Sequence, residues 1–227
     1  MKFKDVATSK ALMGDVENQN WKDHIHIPVR QQWTMHNYKN IQFPIQVISN
    51  IHYVNVHNET KELNSRLETF IRNTGDQMKR ETNVKASMTK YKTKCAEFEE
   101  LTFIIDKYLS KFYKGLIPPR IVDLDYTETW GAIYRKGDYT ELHCHEPSKL
   151  SWIYYVKVSE KTAPLHIHQI VNDNNQKETF KIVPKISDLI FFPSWTPHSV
   201  PTEESDEERI VVSGNTNIIK AYTPQKI

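Results

Sequence analysis

Asp188-Leu189-Ile190-Phe191-Phe192-Pro193-Ser194-Trp195-Thr196-Pro197-His198 begins with four apolar side chains in a row after an aspartate and closes on a histidine. A short apolar run rich in aromatic and β-branched residues, stopped by proline, reads as a buried strand rather than a helix. Trp195 and His198 then fall on the loop or the next strand, at the mouth of whatever the strand belongs to. Similar segments recur on both sides, at 121–122, 130–134, 150–158, 165–171, 179–183 and 210–212. Short strands at this spacing predict a sandwich or a barrel.

Two helices precede the β-rich part. Leu63, Leu67, Phe70 and Ile71 share one helical face, with Asn58 placed to cap and Gly75 to stop the helix. Phe98, Leu101, Ile105, Tyr108 and Phe112 define a second, ended by Gly115 and Pro118-Pro119. Residues 1–42 are polar and weakly periodic and read as an arm or extension. The remaining residues, 43–227, read as one domain with helices near 58–74 and 96–114.

Composition narrows the class. Lys+Arg 30 against Asp+Glu 28 leaves a formal charge of +2 in 227 residues, so no global field draws the chain to nucleic acid or a membrane. No window approaches the ~18 apolar residues of a membrane-spanning helix. The first twenty residues carry no apolar signal core, and the two cysteines, Cys95 and Cys144, lie far apart. A reducing, cytoplasmic setting is expected. Lys79, Arg80, Lys85, Lys90, Lys92 and Lys94 form a basic stretch that reads as solvated and mobile.

The chemistry starts at His143-Cys144-His145. Side chains one apart on a strand project from the same side, so His143 and His145 can grip one ion while Cys144 points away into packing. His198, from a distant segment, would complete a triangular face of imidazoles suited to iron, zinc, copper or nickel. Arg209 opens the strand after the acidic turn at 201–208, and Arg209, Val211, Ser213 and Asn215 share a face. A buried guanidinium needs an anion, and its fork matches a carboxylate.

These residues resemble the 2-oxoglutarate and Fe(II)-dependent dioxygenases, specifically the prolyl-hydroxylase-like oxygenases of tailed phages and bacteria. Residues 132–145 look like the approach to the first ligand, Ser151-Trp152-Ile153-Tyr154-Tyr155-Val156 like a core strand, and 192–200 with Glu208-Arg209-Ile210 like the closing block. The resemblance implies a mainly β (α+β) fold, a double-stranded β-helix of the jelly-roll or cupin-like kind with flanking helices. It also implies iron at His143 and His198, and Arg209 and Tyr155 on the distal carboxylate of 2-oxoglutarate. Tyr134 and Ser213 belong to the same implied pocket. Oxidative decarboxylation of 2-oxoglutarate by O2 would be coupled to C–H hydroxylation, with ascorbate as an optional reductant and no catalytic side chain beyond the metal centre. A protein side chain or small molecule is favoured as substrate over nucleic acid. A phage gene would place the enzyme in the host cytoplasm.

The superfamily carries Asp or Glu where this chain has His145, and Glu146 would point to the opposite face of a strand. Either His145 ligates in place of the carboxylate or water takes that position. The spacing of Gly137, His143-Cys144-His145 and 193–198 also resembles a cupin-type three-histidine metalloprotein, though that pattern leaves Arg209 without a role. A β-helix that binds without catalysing is the third alternative. His24-Ile25-His26 and His166-Ile167-His168 repeat the tripeptide without its company, and are read as a solvated arm and a strand face near the barrel mouth.

Overall fold

The computed structural model describes the backbone at 25–36, 42–116, 121–170 and 177–222, and side chains at 51–109, 124–168 and 179–217. Strands β1 (Ile25–His36), β2 (Gln42–Asn55), β3 (Val84–Lys85), β4 (Ser87–Met88), β5 (Ile121–Tyr134) and β6 (Tyr139–His143) come first in chain order. They are followed by β7 (Leu150–Lys157), β8 (Leu165–Ile170), β9 (Lys177–Ile182), β10 (Asp188–Pro193), β11 (His198–Val200) and β12 (Arg209–Tyr222). Helix α1 (His57–Thr74) follows β2, and α2 (Ala96–Leu116) follows β4.

Two antiparallel sheets result: seven strands in the order β1-β2-β10-β7-β12-β5-β4, and five in the order β3-β6-β11-β8-β9. This is the architecture of a double-stranded β-helix, with α1 and α2 on the outer face of the larger sheet. The continuous apolar run of β10 follows from that layering, because both faces of the strand are covered. Leu189 and Phe191 pack with Leu63, Leu67, Leu101 and Ile105 of the helices. Ile190 and Phe192 pack between the sheets with Leu165, Ile167 and Val211. Each such side chain contributes roughly 1.5–3 kcal/mol of burial free energy. On β12, Ile210 and Val212 go to the helix layer while Val211 goes inward.

Close packing fixes two glycines. A Cβ on Gly214 would lie 2.3 Å from Trp152 Cζ2 and 2.6 Å from the Glu128 carbonyl; one on Gly131 would lie 2.6 Å from Ile71 Cγ1.

Several expectations change. Asn58 does not cap α1: Val56 precedes the helix without a side-chain cap, and Asn55 Oδ1 accepts from the His57 amide at 3.1 Å instead. The basic stretch is not a loose segment, since β3 and β4 attach it to both sheets and bury Val84, Ala86, Met88 and Thr89. Lys85 falls between buried Val84 and Ala86, while Lys90, Lys92 and Lys94 are exposed. Within residues 1–42, 25–36 form β1, paired along β2; 1–24 and 37–41, His24 among them, lie outside the described residues. No helix among the described residues is long and apolar enough to cross a membrane.

Candidate metal centre and co-substrate pocket

The turn Ser194–Pro197 returns the chain so that β11 pairs with β6, setting His198 directly opposite His143. His145 follows just after β6, its amide donating to the Ser194 carbonyl at 2.7 Å. One ligand atom from each of the three imidazoles lies within 4.8 Å of the others. His143 Nε2 and His145 Nε2 are 3.2 Å apart. Two nitrogens bound at about 2.1 Å and at right angles to one ion are roughly 3.0 Å apart, so the rings are spaced as neighbouring ligands. His143 Nδ1 donates to the Glu141 carbonyl at 2.8 Å and His198 Nδ1 to the Thr196 carbonyl at 2.9 Å. A proton committed at Nδ1 leaves the Nε2 lone pair of each ring free.

Burial keeps these rings neutral. It holds His145 down to about 3, with the neighbouring His143 adding to the effect, and lowers His143 despite the Glu141 carbonyl. His198 falls well below the ordinary histidine value, first through burial and then through the other two imidazoles. Neutral imidazoles are the form that binds a metal.

Arg209 is buried at the start of β12, its guanidinium stacked 4.0 Å over the Tyr134 ring. Nη1 donates to the Ala163 carbonyl at 2.9 Å and sits 3.8 Å from Glu203 Oε2. Nε and Nη2 are buried without a protein partner. Those two nitrogens form one edge of the guanidinium with parallel N–H bonds, the edge that takes both oxygens of a carboxylate. Tyr134 donates to or accepts from Thr140 Oγ1 at 2.7 Å. Burial raises the pKa of Tyr134 and of Tyr155, with the Arg209 charge acting in the opposite direction in each case. Both stay phenols. Ser213 lines an interior cavity of about 40 Å³ with His143, His145, His198, Tyr134 and Thr140.

His143, His145, His198, Tyr134 and Ser213 thus line one cavity between the sheets, Arg209 stacks on Tyr134, and Tyr155 is buried in the same inter-sheet cluster as Tyr134. Cys144 does point away, but into solvent rather than into packing. His166 and His168 sit on β8, with His168 held by Ser199 Oγ at 2.8 Å. The acidic turn is only partly solvated: Glu203 folds inward, accepting from Thr162 Oγ1 at 3.0 Å and the Ala163 amide, beside Arg209. Nothing in its acidic surroundings distinguished it. Glu128 and Asn215 border the histidines as well. Glu128 was within reach of a period-two count, which puts it on the face of Trp130 and Tyr134.

Residues 128–215 match a family model described as "Putative 2OG-Fe(II) oxygenase". That segment is similar to the 2OG-Fe(II) oxygenases. No curated protein matches the chain in sequence. Among solved structures, similar folds include a Pseudomonas putida prolyl-4-hydroxylase at 16% identity, TM-score 0.51, covering 69% of this chain and 86% of that one. A Trichoplax adhaerens prolyl hydroxylase in complex with a hypoxia inducible factor peptide fragment has 16% identity and TM-score 0.53, covering 74% and 83%. A 2OG-Fe(II) oxygenase family oxidoreductase from Burkholderia pseudomallei has 11% identity and TM-score 0.54, covering 74% and 84%. Similarity to that family implies Fe(II) and 2-oxoglutarate, with O2, and the three-histidine cluster is compatible with iron binding.

Proposed function

We propose that this chain is a 2OG-Fe(II) oxygenase that hydroxylates a C–H bond of a side chain presented by an extended peptide, with His143 and His198 on the iron, His145 beside them, and Arg209 on the distal carboxylate of 2-oxoglutarate. The observation that carries the site assignment is the unpartnered Nε/Nη2 edge of buried Arg209. Glu203 already offsets the charge from the Nη1 side at 3.8 Å, but two buried N–H donors on the other edge are costly unless an acceptor meets them. Bound iron supplies the activation of O2 and the decarboxylation of the 2-oxo acid. The protein's part is placement. Ala163 and Tyr134 fix the guanidinium so that its free edge is preset, and the Tyr155 phenol adds an O–H donor nearby. Nδ1 contacts to Glu141 and Thr196 aim two imidazoles, and the inter-sheet core excludes water.

A groove of about 410 Å³ opens beside the histidines and is lined by Lys92, Glu128, Trp130 and Glu146. A second of about 460 Å³ shares Lys92, Thr127 and Glu128 with it and continues along β5. A surface this long suits an extended chain better than a compact metabolite, and its mixed charge does not suit a polyanion. The peptide complex of the Trichoplax adhaerens relative agrees with that choice. Three histidines alone would also serve a cupin-type metalloprotein, but the preset edge of Arg209 has a use only in the oxygenase.

Anaerobic Fe(II) and 2-oxoglutarate binding, followed by succinate formation on admitting O2, tests the assignment. His143→Ala and His198→Ala should each abolish stoichiometric metal binding and succinate. Wild-type iron binding in either variant would refute it.

A further inference from the structure

Asn215 is buried and its amide is fully engaged. Oδ1 accepts from Ser151 Oγ at 2.8 Å, and Ser151 in turn contacts Ser194 Oγ at 2.9 Å. Nδ2 donates to Glu128 Oε2 at 2.7 Å and directs its remaining N–H at His145 Nδ1, 3.4 Å away. A nitrogen that meets an N–H is an acceptor, so in the neutral ring the proton sits on the other nitrogen. That nitrogen, His145 Nε2, faces His143 Nε2 at 3.2 Å, and His143 already carries its proton on Nδ1 against Glu141. Every group in the chain Glu128–Asn215–His145–His143 is then satisfied without an ion.

We propose that Glu128, acting through Asn215, is a positioning residue that holds His145 as the Nε2–H tautomer and so withholds its lone pair from the metal. The proposal rests on the reading of His143 and His198 as ligands. For His145 to ligate through Nε2 its proton must move to Nδ1, where it needs an acceptor. The Asn215 amide can supply one only by turning over, which would set its oxygen against the Glu128 carboxylate. Ring spacing therefore favours three ligands while proton placement favours two, and Glu128 decides between them.

In metal-free wild type at neutral pH, imidazole 15N shifts should show His145 as Nε2–H and both His143 and His198 as Nδ1–H. Co(II) titrations of wild type, Glu128→Gln, Asn215→Asp and His198→Ala, each first shown to melt as a folded protein, give the second readout. Glu128→Gln lets the amide turn over, and Asn215→Asp gives Nδ1–H an anionic acceptor. Either should tighten Co(II) binding about 10-fold and alter its visible spectrum, in keeping with what residues behind metal ligands commonly contribute. Loss of binding in His198→Ala with a gain in either variant carries the proposal. Loss in His198→Ala with no gain in both, or a His145 Nδ1–H tautomer, overturns it and leaves the metal centre standing. Undiminished binding in His198→Ala overturns the metal assignment itself.

Discussion

Replacing Arg209 by lysine keeps a buried positive charge and removes the fork. In wild type Nη1 is committed to Ala163 at 2.9 Å, which leaves two parallel donors, Nε and Nη2, for the distal carboxylate of 2-oxoglutarate. Lysine offers one ammonium on a flexible stem and has no flat face to lay on Tyr134. One of two charge-assisted hydrogen bonds is lost, worth about 1.5–3 kcal/mol. The expected Kd for 2-oxoglutarate rises roughly 10- to 150-fold. Calorimetry on the Co(II)-loaded protein measures it, with Co(II) affinity as the control that should not change. A 2-oxo monoacid of the same chain length lacks the distal carboxylate and should bind wild type and Arg209→Lys equally. A 2-oxoglutarate Kd within threefold of wild type, or the same penalty for the monoacid, would refute the assignment of that edge.

Other expectations concern stability. Gly214→Ala drives a methyl into the fully buried Trp152 ring and a backbone carbonyl together, so overpacking should cost about 3 kcal/mol and lower Tm by roughly 6–12 °C. Gly131→Ala meets only the side chain of Ile71, which can turn, and should cost less; equal Tm values would contradict the packing. Without metal, the three histidines are neutral in the folded state at pH values where the unfolded chain protonates them. Their contribution is complete above about pH 6.5 and is lost as pH falls from there, for His145 toward about 3. Urea midpoints of metal-free protein should drop between pH 7 and pH 5, and a flat profile would show that the rings are not held neutral.

The sheets and helices were legible because their signals are periodic. β10 and β12 announce themselves by apolar runs, and α1 and α2 by apolar faces at helical spacing. Two-residue strands such as β3 and β4 have no period to detect, so charge dominated the reading of a segment that in fact buries Val84 and Met88. At the site, His143, His198 and Arg209 stand out as residue types with few alternative uses in such surroundings. Glu203 and Asn215 do not, because their roles depend on which atoms they face across 40 to 87 residues of chain. Proton placement lies further still from sequence, being decided by hydrogen-bond geometry within one cluster.

His143 and His198 stand on the five-stranded sheet, while Arg209, Tyr134 and Tyr155 stand on the seven-stranded one. Under the proposed assignment the ion and the far end of its co-substrate would be held by opposite walls, and the filling of the inter-sheet core, Phe192, Ile167 and Val211 included, would act as a ruler for the dicarboxylate. A methylene added or removed in that filling would retune which chain length spans the gap.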